Sequence, residues 1–138
     1  ERRDRLRRAT ADSAEHTAHT LAGRSDGVDL DDKGREQARA IVERSLAAHS
    51  DPEPTFIGAL CFFKMGEAGR GLEVLESSVA AGYSPARMLA RHAIFDAVRH
   101  DRRFVALGEL LSVRTREATE VFERGGGREM LGVTGDLT

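Results

Sequence analysis

The stretch that decides the fold is Thr55-Phe56-Ile57-Gly58-Ala59-Leu60-Cys61-Phe62-Phe63-Lys64-Met65-Gly66, continued by Glu67-Ala68-Gly69-Arg70-Gly71-Leu72-Glu73-Val74-Leu75-Glu76-Ser77-Ser78-Val79-Ala80-Ala81-Gly82. Its first half is the most apolar run of the chain. It has no alternation of apolar and polar residues, so it reads as a buried helix over 54–65. Gly66 stops that helix. The second half carries Leu72, Val74, Leu75, Val79 and Ala80 at helical spacing and ends at Gly82. Two helices with a one-glycine turn between them can only double back, so residues 54–81 predict a helical hairpin.

Outward from the hairpin the pattern stays helical. Upstream, Ala38, Ile41, Val42, Ser45, Leu46 and Ala48 recur at helical spacing, with Asp31 or Asp32 as cap and Glu36 in the first turn. That helix should end near His49, before Ser50-Asp51-Pro52-Glu53-Pro54. Residues 2–22 hold Arg, Ala, Glu and Leu without Gly or Pro, and predict another helix. A loop over 23–29 separates the two. Downstream, Ser84 as cap and Pro85 at the first position predict a helix start. Phe104, Leu107, Leu110 and Leu111 predict one from about 101 to 113. Ala118, Val121 and Phe122 predict a last one over about 114–124. Gly125-Gly126-Gly127 closes it, and residues 125–138 read as a glycine-rich tail with little core potential. No segment alternates long enough to predict a strand.

Composition narrows the function classes. The chain has 138 residues, with 21 Lys+Arg against 23 Asp+Glu and a formal net charge of −2. Neither the basic excess of a nucleic-acid platform nor the acidic excess of a disordered segment is present. No apolar run approaches the ~18 residues of a membrane span. The single cysteine, Cys61, cannot form an internal disulfide or a structural zinc site, so a reducing, cytoplasmic setting is expected. The first residue is Glu1 and not Met, which implies a longer natural chain.

The hairpin has a specific order of residue sizes. Ala59 is small where two helices cross closely, Phe62 follows three later, and Gly66 makes the turn. Gly71, Leu75 and Ser78 are then small, large and small on the second helix. Small residues let helices approach and large ones fill the groove between them. This order resembles the tetratricopeptide repeat. Ala38, Val42 and Ser45 sit 33 residues before Gly71, Leu75 and Ser78, close to that family's period, although the loop over 23–29 displaces the first repeat's other helix. A second resemblance lies in Ala81-Gly82-Tyr83 followed by Ile94-Phe95-Asp96-Ala97-Val98-Arg99-His100-Asp101-Arg102-Arg103-Phe104. It is similar to the terminal module of many bacterial tetratricopeptide proteins, with Val98 where Leu is usual and Arg102 where Pro is frequent. The two resemblances together cover about residues 35–112.

The resemblance implies an all-α fold of antiparallel helical hairpins, stacked as a short right-handed superhelix over residues 1–124. The best-supported repeat is 54–82, and a capping extension spans 84–112. Phe95, Val98, Phe104 and Leu107 should close the last apolar face, with Asp101 capping the helix that brings Phe104 in. The implied function is non-catalytic protein–protein interaction through a concave groove, lined on the first hairpin helix by Phe56, Leu60, Phe63 and Lys64. Relatives that clamp a peptide carboxylate use Asn, and this chain has no Asn, so the groove is expected to take an amphipathic helix or another part of the same polypeptide. The alternative expectation is a regulatory or self-association domain of a larger bacterial signalling or transcription protein. Homo-oligomerisation, through the helix expected over 2–22 or that over 114–124, belongs to that reading.

Catalytic constellations compete poorly with structural ones. His16 and His19 are three apart on one helix, but the zincin order and a third ligand are missing. Asp26-Gly27-Val28-Asp29-Leu30-Asp31-Asp32 lacks the order of a calcium loop. Cys61 with His92 or His100 would suggest a thiol enzyme, but a cysteine inside an apolar helix is usually a small hydrophobe. Gly125-Gly126-Gly127 lacks the Lys-Ser/Thr of a phosphate loop, and Ser77-Ser78 has no nucleophile elbow around it. The run Arg2, Arg3, Arg5, Arg7 and Arg8 has no interleaved aromatics to stack on bases. Asp96, Arg99, Asp101 and Arg103 read as turn and cap residues. No catalytic residue, metal or cofactor is expected, and the expected partner is a protein, with neither nucleic acid nor membrane.

Overall fold

A computed structural model describes residues 30–132. The expected helix over 2–22, the loop over 23–29, the His16/His19 pair and the arginine run lie outside the described residues. Every regular element described is helical: α1 (Asp32–Ala48), α2 (Pro52–Lys64), α3 (Ala68–Ala80), α4 (Ala86–Arg91), a 3₁₀ turn (Ala93–Val98), α5 (Arg102–Arg124) and α6 (Gly127–Leu131).

Local chemistry explains most boundaries. Three helices start on an aspartate whose carboxylate accepts a backbone N–H that the helix cannot satisfy itself. Asp31 accepts from Gly34, Asp51 from Glu53 and Asp101 from Arg103. α2 therefore begins at Pro52, two residues earlier than the sequence implied. Pro52 and Pro54 fall in its first turn, where the missing N–H groups have no intrahelical acceptor to lose. Gly66 and Gly82 leave α2 and α3 with φ of +78° and +107°, which a side chain would strain.

α2 and α3 pack antiparallel. The Ser78 hydroxyl donates to the Pro52 carbonyl at 2.7 Å at one end, and Phe63 lies against Gly71 at the other. α1 packs on α2, with Leu46 over Gly58. The 3₁₀ turn touches α2, and α5 touches α3 and α4. One core runs through these elements, from Ala38 and Val42 through Phe62, Leu75 and Val79 to Phe95, Phe104 and Leu111.

The structure corrects several expectations. Ser84 is not a cap: Pro85 takes the N-cap position without a side-chain bond, and α4 starts at Ala86. The helices expected over 101–113 and 114–124 are one helix of 23 residues, α5. Nothing between Val113 and Thr115 breaks a helix, and the Thr115 hydroxyl donates back to the Leu111 carbonyl at 2.9 Å, within the continuing turns. Leu110 does not share the core face with Phe104, Leu107 and Leu111. It is exposed while Leu111 is fully buried. Residues 133–138 of the expected tail lie outside the described residues, and its first part holds a short helix. Gly126 turns at φ +72° into α6, and Gly127 is buried against the Phe122 ring.

Candidate functional site

The groove positions of α2 are occupied by the chain itself. Phe56 is buried, with its ring centroid 4.9 Å from that of Tyr83, just past the end of α3. Phe63 is half-buried and meets Phe95 of the 3₁₀ turn edge-on at 5.3 Å and 79°. Leu60 is buried, and Lys64 is half-buried with its ammonium nitrogen out of water. An open apolar trough at these four residues is thus corrected to a filled one. Physically, α2 is too apolar to leave a face in water: Phe56, Gly58, Ala59, Leu60, Cys61 and Phe62 are all buried.

The positions expected of a repeat sit where the two helices approach closely. Ala59, Phe62, Leu75 and Ser78 have no exposed surface. A Cβ placed on Gly71 would stand 3.1 Å from the Phe63 ring, so a glycine lets that ring lie flat against α3. Gly58 plays the same part toward α1, where its Cβ would meet Leu46 Cδ2 at 2.8 Å. Sequence reasoning passed over Gly58. The signal was there in a glycine tolerated inside an otherwise strong apolar helix.

The residues expected to cap the hairpin pack against it. Phe95 stacks at 5.4 Å on Phe104, which enters in the first turn of α5. Val98 and Leu107 are buried beside them. Arg99 locks this turn in place. Its guanidinium bonds the Asp96 carboxylate at 2.7 Å and the carbonyls of Leu89, Ala90 and His92 at 2.8–3.2 Å, satisfying the C-terminal end of α4. Arg114 does the same for α3, donating to the Val79 carbonyl at 2.8 Å. These roles agree with the turn-and-cap reading of Asp96, Arg99 and Asp101. Arg103 instead pairs with Glu76 of α3.

Among the ion pairs of the described residues, two groups join helices across 27 positions of sequence. Arg70 of α3 reaches Glu43 of α1 at 2.8 and 2.9 Å and Glu73 on its own helix at 2.9 Å, while its guanidinium carbon stands 5.6 Å from the Phe62 ring centroid. Hydrogen bonding to Arg70 holds the Glu43 carboxyl below the usual range, against a smaller opposing effect of burial. Glu76 is lowered in the same way by Arg103. Both groups are partly exposed, so they orient helices more than they stabilise them.

The chemistry available to the described residues is sparse. Burial pushes the Cys61 thiol up to about 11, despite the nearby Lys64 charge. A thiol that stays protonated at neutral pH is a weak nucleophile. The His92 ring accepts the Ile94 N–H through Nδ1 at 3.1 Å and caps the 3₁₀ turn. Ser77 donates to the Glu73 carbonyl and Ser78 to that of Pro52, so both hydroxyls are spent on backbone. Among the described residues no three His, Cys, Asp or Glu side chains gather into a metal-binding group, and no helix is long and apolar enough to cross a membrane.

Among the described residues, the large apolar side chains that remain open lie on α5 and α6. Val105, Leu110 and Val113 are exposed on α5, and beyond Arg114 the helix is exposed on every side to Arg124. Val121 is 61% exposed, and Met130 and Leu131 of α6 are 82% and 68% exposed. The sequence carried this signal in Ala118, Val121 and Phe122, but it gave them no neighbour. Comparison with protein-family models, with curated proteins and with solved structures found no match to this chain.

Proposed function

We propose that the chain is a non-catalytic protein–protein interaction module, a scaffold or adaptor of tetratricopeptide type acting in the cytoplasm. The antiparallel α2–α3 pair, with a glycine turn and small residues at its closest approaches, supports a repeat hairpin. The seating of Phe95 on Phe63 and Phe104 supports a capping extension. Right-handed stacking of α1 on this hairpin belongs to the same proposal. The groove residues Phe56 and Phe63 serve the chain's own Tyr83 and Phe95, and Leu60 is buried. A partner's apolar or helical segment then meets the chain at the exposed residues of α5 and α6.

The observation that carries this reading is the long α5. Its first half is anchored in the core, and its second half holds apolar side chains in water. Photo-crosslinking residues placed at Val121 and, as a control, at the exposed Glu53 test it. A protein adduct formed at Val121 alone, and competed away by excess unlabelled chain, is the expected result. Equal labelling at both positions, or none, refutes the reading.

A further inference from the structure

We propose that the overhanging half of α5, residues 115–124, pairs with the same half of a second copy of this chain, antiparallel about a two-fold axis. The inference rests on reading the chain as an interaction module and names its partner. α5 carries one heptad stripe from end to end: Phe104, Leu107, Leu111, Arg114, Ala118 and Val121. Phe104, Leu107 and Leu111 are buried in the chain's own core. Arg114 ends that contact by bonding the Val79 carbonyl. Past it the stripe continues as Ala118 and Val121, both exposed, with Phe122 beside them at 37% exposure and resting on Gly127. The periodicity that seats the helix on its own body therefore runs on with nothing beneath it among the described residues.

The charges say what fits there. The overhang holds Arg116, Glu117, Glu120, Glu123 and Arg124, a mixed set that selects neither a strongly acidic nor a strongly basic partner. It is self-complementary in one antiparallel register. Setting Ala118 opposite Val121 of the second copy brings Glu117 beside Arg124 of that copy, and the two-fold axis repeats both contacts. The same register sets Thr115 against Phe122 of the second copy. These are the flanking positions at which antiparallel helix pairs place their ion pairs. Small Ala118 at the centre lets the two helices approach closely. Met130 and Leu131 of α6 stand at the ends of the overhang, where they extend the apolar contact. A parallel pair would set Glu117 beside Phe122 of the second copy and lose the Glu117–Arg124 contact, so the charges also choose the orientation.

Sedimentation equilibrium of the full chain tests this. The wild type is expected to reach twice the 15.1 kDa chain mass as concentration rises toward about 100 µM. Val121→Glu should leave helix content, and the melting measured at dilution where the wild type is also monomeric, unchanged, because Val121 is exposed and outside the core, and should give a monomer at all concentrations. Glu117→Arg or Arg124→Glu alone should weaken the pairing by about tenfold, and the double exchange should restore it. A wild type that stays monomeric, a dimer that survives Val121→Glu, or a double exchange that restores nothing overturns the proposal. If a monomeric chain still gives a competed protein adduct at Val121, self-pairing fails while the interaction reading stands. If it gives none, both fail.

Discussion

Replacing Phe95 by alanine tests whether the 3₁₀ turn closes the hairpin. Phe95 has no exposed surface and sits between two rings, Phe63 at 5.3 Å and Phe104 at 5.4 Å. Removing a buried phenylalanine side chain costs about 3–5 kcal/mol when the surroundings cannot collapse into the space. Collapse is resisted on both sides. Phe63 is held against Gly71, and Phe104 is fixed in the first turn of α5 by the Asp101 cap. Loss of two ring pairs, each about 0.5–1.5 kcal/mol beyond area, pushes the cost toward the upper end of that range. A domain of this size has a total stability of about 5–15 kcal/mol, so the variant should be marginal. Urea unfolding followed by far-UV circular dichroism reads this as a lower midpoint at unchanged slope. Because the rings touch, Phe95→Ala and Phe104→Ala should sum to more than the double variant loses. A loss below about 1.5 kcal/mol for Phe95→Ala, or strict additivity, would show that the turn only leans on the hairpin and does not close it.

Leu75, fully buried on α3, should cost about 2–5 kcal/mol as alanine in the same urea assay; a loss under about 1 kcal/mol would place it outside the core. Gly66→Ala should lose about 1–2 kcal/mol, since φ is +78° and no neighbour lies near enough to matter, so strain acts alone. The lowered Glu43 carboxyl contributes stability that is present above its unfolded value of about 4.5 and lost as pH falls through its folded value. Glu43→Gln should therefore flatten the acid limb of a pH–melting curve, and an unaltered limb argues against the Arg70 pair. The raised Cys61 thiol works in the opposite direction. Its contribution is complete below pH 9 and declines as pH rises toward about 11, so a thiol reagent at pH 8 should label the unfolded chain and spare the folded one.

Much of the fold was legible because its signals are local. Asp31 and Asp101 cap helices from within the next two or three residues, and Gly66 and Gly82 end helices through their own backbone freedom. The stripe Leu72, Leu75 and Val79 faces the core as its 3.6-residue spacing implies. The size order Ala59, Phe62, Gly71, Leu75 and Ser78 marked the positions where α2 and α3 pack, since packed helices admit only small residues at their crossings.

The tertiary structure alone decided how α2 is covered. A helix that is apolar on nearly every side has no period to say which face is closed and by what, so Phe56, Leu60 and Phe63 looked like a free groove. Only the return of the chain brings Tyr83 to Phe56 and Phe95 to Phe63, across 27 and 32 positions of sequence. The Glu43–Arg70 and Glu76–Arg103 pairs were hidden for the same reason, each joining helices 27 residues apart. On α5, Leu110 and Leu111 are neighbours of identical chemistry. Local propensity makes both helical, but which one enters the core depends on the side from which α3 approaches, and that is a property of the packed chain.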